Sequence, residues 1–118
     1  MKVDDFEIKE YSRRNMILTS LRITYKEFLL SPKWANTKEK LYKRDGKKCS
    51  VCFSEKKLNV HHNNYNKKNL TGGISCLVVV CSDCHTEIHR LAKMYGWYYK
   101  KAHRSIKKRF KKYGNIYK

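Results

Sequence analysis

Between Cys49 and His89 the chain reads CSVCFSEKKLNVHHNNYNKKNLTGGISCLVVVCSDCHTEIH, which sets two Cys-x2-Cys pairs around a His-His dyad and adds two histidines after the last cysteine. Cys49, Cys52, Cys81 and Cys84 form C-x2-C, a gap of 28 residues and a second C-x2-C. Two intervening residues allow the tight turn that aims a pair of thiolates at one tetrahedral ion, with sulfur at about 2.3 Å. The spacing therefore predicts a structural Zn2+ site, and coincidental burial of four free thiols is the weaker reading. The long gap means that something is folded between the two pairs. Cys76 is left over and reads as a small apolar strand residue.

His85 and His89 are four apart, so on a helix they share a face and can converge on one ion. Cys84 directly precedes His85, which lets one helical turn serve both the zinc and a second site. His61 and His62 close a strand candidate, where neighbouring side chains point to opposite faces. Their roles must then differ. One ligates a metal with His85 and His89, while the other stays free as a base, its ordinary pKa of about 6.5 suiting proton abstraction near neutral pH. The plainer alternative is that some of these histidines pad or replace zinc ligands. His103, alone in a basic segment, reads as a solvated or phosphate-touching residue.

The elements that must position these groups are legible in outline. Residues 1–10 are acidic without a clear period, which predicts a frayed start. From Tyr11 to Leu30 the apolar residues Ile17, Leu18, Leu21, Tyr25, Phe28 and Leu29 recur at helical steps, with Arg13, Arg14, Arg22 and Lys26 on the other face. Ser31 as N-cap and Pro32 at the first position start another helix, in which Trp34, Leu41 and Tyr42 face inward until Asp45-Gly46. Leu58–His61 and Cys76–Val80 are strand candidates joined by an Asn- and Gly-rich loop. Ser82 or Asp83 caps a helix from about Cys84 to Tyr95. Tyr99, Ala102, Ile106, Phe110 and Tyr113 then draw an apolar stripe along a basic helix. The expected class is α+β: a helical lead-in over 1–48, a zinc-stapled centre over 49–95 and a basic helical tail over 96–118, together one compact domain.

Across 118 residues, 28 Lys and Arg against 10 Asp and Glu give a formal charge of +18, a field that favours a polyanion, with nucleic acid first. No acid follows Glu87. Lys100, Lys101, Arg104, Lys107, Lys108, Arg109, Lys111 and Lys112 are the candidate phosphate contacts. Tyr95, Trp97, Tyr98 and Tyr99 interleave with them, either to stack on bases or to pack the tail down. The absence of a long apolar run or greasy leader predicts a soluble, cytoplasmic protein without a membrane role. Paired cysteines in that compartment are ligands rather than disulfides.

The set C-x2-C, LNVHH and LVVVCSDCHTEIH resembles the HNH endonucleases of the ββα-metal fold, in the branch with a four-cysteine zinc. The text YKEFLLSPKWANTKEKLYKRDGKKCSVC resembles that branch's helical lead-in, so the resemblance spans about residues 25–90. It implies that His61 holds the ion, His62 activates water, and His85 and His89 complete the ligands. It also implies DNA, double-stranded in the usual case, as substrate, low sequence specificity, and a second divalent ion such as Mn2+, Mg2+, Ni2+, Co2+ or Zn2+. The family's middle asparagine has no direct counterpart: counting back from Cys81 lands on Cys76, with Asn69 the nearest asparagine upstream and Asn63 and Asn64 close to the dyad. Lys, Asn and Tyr richness points towards an AT-rich source and to phage packaging or mobile-element partners. The rival readings are a non-catalytic zinc module that binds nucleic acid and an assembly factor.

Overall fold

A computed structural model describes residues 5–117, with residues 5 and 6 described for their backbone only. Helix α1 runs Asp5–Ser20 and α2 Tyr25–Leu29, where periodicity alone predicts one helix over 11–30 after a frayed start. The expected fraying of residues 1–4 lies outside the described residues, but for residues 5–10 it is corrected. Two local features divide the predicted helix. Arg22 takes φ 59°, and Thr24 forms a capping box in which its Oγ1 accepts from Glu27 N–H at 3.1 Å while Glu27 Oε1 accepts from Thr24 N–H at 3.0 Å. Apolar spacing carries straight across such a break because it does not register backbone capping.

Helix α3, Pro32–Asp45, begins as expected, with Ser31 Oγ accepting from Trp34 N–H at 3.2 Å and Pro32 at the first position. It ends at Gly46, whose φ of 84° a side chain would resist. Trp34 and Leu41 are buried and Tyr42 half-buried.

Strands β1, Leu58–His62, and β2, Leu77–Cys81, form an antiparallel pair in which Leu58 faces Cys81, His61 faces Val78 and His62 faces Leu77. Each ends one residue beyond the sequence expectation, and β2 starts at Leu77 rather than Cys76. Strand parity divides the interior into two cores. Leu77 and Val79 pack with Leu18, Phe28, Trp34, Leu41 and Leu70, whereas Val80 packs with Ile88, Leu91, Ala102 and Ile106. Each fully buried Leu or Ile contributes about 1.5–3 kcal/mol, so the sheet acts as the shared wall of two small hydrophobic layers.

The connection between the strands contains a short helix that the loop reading omits: α4, Lys67–Leu70, capped by Asn66 Oδ1 accepting from Asn69 N–H at 2.8 Å. Gly73 then lies so close to α4 that a Cβ there would sit 2.8 Å from the Lys68 carbonyl oxygen. Helix α5, Ser82–Tyr95, follows β2 without a loop. Its N-cap is Cys81 rather than Ser82 or Asp83, with the sulfur accepting from Cys84 N–H at 3.5 Å. Gly96 ends α5 at φ 69°, and α6 runs Tyr99–Tyr113. Its Tyr99, Ala102 and Ile106 are buried, Phe110 half-buried and Tyr113 exposed. The result is a small α+β molecule with a cysteine cluster on its two-stranded sheet. Among the described residues no helix is long and apolar enough to cross a membrane.

Candidate metal centres

The ligand atoms of Cys49, Cys52, Cys81 and Cys84 lie within 4.8 Å of one another. Bonds of about 2.3 Å to a tetrahedral ion imply sulfur pairs about 3.8 Å apart, and Cys52 Sγ and Cys81 Sγ are separated by 3.6 Å. Cys49 Sγ also accepts from the Val51 and Cys52 N–H groups at 3.4 and 3.5 Å, the support a thiolate needs in a buried turn. A hydrogen bond from Cys84 holds the Cys49 thiol down to about 4, while the same contact and burial push the Cys84 thiol up. One thiolate is thus favoured before any ion arrives, and the four sulfur donors fit Zn2+.

A second group begins at the next residue of the α5 first turn: Cys84 belongs to the first cluster and His85 to the second. His61, His85 and His89 place ligand atoms within 4.8 Å of one another. His85 Nε2 and His89 Nε2 are 3.1 Å apart, close to the edge of about 3.0–3.4 Å that two imidazoles on one ion would span. His61 Nε2 is buried without a hydrogen-bond partner among the described residues. Burial and the neighbouring imidazoles hold His61 well below the ordinary histidine range, and burial lowers His85 as well. Three imidazoles with converging nitrogens are a donor set that a divalent ion fits.

Strand parity directs the dyad as the sequence requires. His61 meets His85, His89 and Tyr99, with ring centroids 5.1, 5.3 and 4.9 Å away. His62 instead lies between Trp34 and Tyr65, at 5.4 and 4.7 Å with interplanar angles of 15° and 24°. Burial, helped by the Arg14 charge, lowers His62 to about 4. At pH 7 it is neutral, and its Nε2 has no partner among the described residues. Both dyad residues nevertheless line one cavity of about 240 Å³, together with His85, His89, Arg14 and Tyr65.

Four further residues position this arrangement: Glu7, Glu10 and Arg14 escape the motif reading, and Asn69 is the asparagine that reading finds upstream without assigning it. Glu7 Oε1 accepts from His89 Nδ1 at 2.7 Å and from the Tyr99 hydroxyl at 2.8 Å, which leaves His89 Nε2 directed at His85. Glu10 Oε2 accepts from Tyr65 N–H at 2.9 Å beneath His62. Arg14 stacks over Tyr25 at 4.0 Å at the cavity edge. Glu7, Glu10 and Arg14 follow one another at three- and four-residue steps, so a helical reading of the acidic start would have put them on one face. Asn69 is the fourth: its Oδ1 accepts from Cys76 N–H at 2.9 Å, and the Cys76 carbonyl accepts from Asn63 N–H at 2.8 Å. The asparagine thus reaches from α4 to the backbone of the position where the motif count lands, and it steadies the residue after His62.

The basic tail divides in two. Lys100, Lys101, Arg104, Lys107, Lys108, Lys111 and Lys112 are exposed, whereas Arg109 is half-buried, 3.5 Å from Glu87 Oε2, and donates to the Ile116 carbonyl at 3.3 Å. His103 is buried rather than solvated, with Nε2 2.9 Å from Ser50 Oγ. Of the interleaved aromatics, Tyr99 packs inside, Tyr95 stacks on Trp97 at 5.0 Å, and Tyr98 is exposed. Comparison of the chain with protein-family models, curated proteins and solved structures finds no match.

Proposed function

We propose that the chain is an HNH-type endonuclease that hydrolyses DNA phosphodiester bonds with one divalent ion and a histidine base. The observation that carries this reading is the convergence of His61, His85 and His89 on one cavity with a neutral His62 whose Nε2 has no partner among the described residues. A divalent ion held by the three imidazoles would supply Lewis-acid stabilisation for the charge that develops on the phosphate and the departing oxygen. His62 Nε2 takes the proton of the attacking water, and its stacking on Trp34 and Tyr65 fixes the ring plane in which that proton is received. Arg14 provides a fixed positive charge at the cavity edge for a phosphate oxygen. Asn69, through Cys76 and Asn63, restrains the backbone that aims His62. The exposed tail cations bind phosphates without reading bases, which suits low sequence specificity.

Supercoiled-plasmid nicking in Mg2+, Mn2+, Co2+, Ni2+ or Zn2+ tests the reading. His62→Ala should lower the nicking rate about 100-fold or more while leaving zinc content unchanged. Equal rates for both proteins, or none for either in every metal, would leave a zinc-stapled nucleic-acid-binding module.

A further inference from the structure

A second cavity, of about 700 Å³, lies between the first cysteine turn and α6. Phe53 and Phe110 form part of its wall, edge to face at a centroid distance of 6.2 Å. Phe53 is 60% exposed and sits at φ 65°, a backbone region that bulky residues rarely enter and glycine enters freely. An exposed phenylalanine held there calls for a reason beyond packing. Lys100, Arg104, Lys107, Lys108 and Lys111 bring positive charge to the wall, beside Ser50, Val51 and His103. Asn63 lines it as well. Because Asn63 follows His62 in the chain, this cavity begins one residue from the proposed general base.

Aromatic rings and clustered cations match two parts of a nucleotide: a base to stack and phosphates to neutralise. A base inside a continuous duplex offers no face to Phe53. We propose that this cavity receives an unstacked nucleotide next to the scissile phosphate, so that the favoured DNA contains an unpaired stretch or a junction rather than unbroken duplex. Extruding a base costs least where it is already unpaired, which makes the cavity a selector for such sites. The inference rests on the nuclease reading for its biological meaning, but its binding claim is separable.

Fluorescence anisotropy without added divalent ion, using a fluorescein-labelled single-stranded oligodeoxynucleotide and the same sequence as blunt duplex, tests it directly. Phe53→Gly removes the ring while relieving the backbone, and an unchanged zinc content verifies that the cysteine turn is intact. The variant should bind the single strand about tenfold more weakly. Its duplex affinity should change less than about twofold, because the phosphate contacts remain. Phe53→Tyr should restore single-strand binding, and 2-aminopurine in the single strand should be quenched by the wild type but not by Phe53→Gly. Equal losses on both DNAs, or no loss on the single strand, would overturn the proposal. A wild type that nicks plasmid but shows either of those patterns sinks this inference alone, whereas the expected binding pattern in a protein that never nicks sinks only the nuclease reading.

Discussion

The sulfur cluster and the imidazole cluster meet on one helix, but they differ in how their donors are satisfied. Around the cysteines, backbone N–H groups from Val51, Cys52 and Cys84 point at sulfur. Around the histidines, the Nε2 atoms of His61 and His62 have no partner among the described residues, and both side chains line a cavity. Sulfurs tied to their own backbone hold an ion for the sake of the chain, whereas donors left unpaired beside a cavity leave room for a reactant. The two kinds of polar residue behind them differ in the same sense. Backbone supports the thiolates, while side chains from distant segments, Glu7 and Asn69, support the imidazoles and their loop.

The strongest way to break this contrast is to remove a sulfur. Cys84→Ser should abolish cooperative thermal unfolding by circular dichroism, since zinc in comparable small sites contributes on the order of 10 kcal/mol to folding. A melt like that of the wild type would mean that the cysteines do not hold the chain together. His85→Ala should do the opposite. Metal analysis should find about one zinc retained and the exchangeable second ion lost, with little change in the melting midpoint. Loss of all metal from that variant would merge the two sites into one.

A subtler test addresses the supporting residues. Glu7→Ala should weaken Mn2+ binding in titration calorimetry by about 10- to 100-fold, with Glu7→Gln recovering part of the loss through its amide oxygen. Unchanged affinity would remove Glu7 from the site. Asn69→Ala should cost about 1–2 kcal/mol in urea unfolding by stranding the Cys76 N–H, and it should lower nicking more than that loss of stability explains. If only stability falls, the loop does not aim His62.

Much of the architecture was legible because it is written in local chemistry. Ser31-Pro32 starts a helix, Gly46 and Gly96 end two, and the valine run of β2 alternates between two cores. The ligand candidates were legible for the same reason, since both the C-x2-C turns and the i, i+4 histidines are short-range patterns. What the sequence hid depends on tertiary partners. Glu7 and Glu10 looked like a solvated acidic start because nothing within ten residues reveals that His89 and the Tyr65 amide await them. Asn69 is legible as the nearest asparagine upstream, but what it holds is not, because a four-residue helix is too short to carry a period. His103 looked like one more member of a charged helix, although Ser50, more than fifty positions away, supplies its partner. The single long helix expected over 11–30 failed at Arg22 and Thr24, where capping outweighs periodicity.

Consecutive placement of Cys84 and His85 on the opening turn of α5 would, under the proposed reading, impose a loading order. A chain that has not yet captured zinc would have no anchored turn on which to present His85, so the cutting machinery would mature only after the staple closes. Linkage works in both directions, and an ion settled among the imidazoles should tighten the equilibrium hold of the sulfurs on zinc. Cellular zinc supply would then act as a licence for cleavage, granted through a single peptide bond.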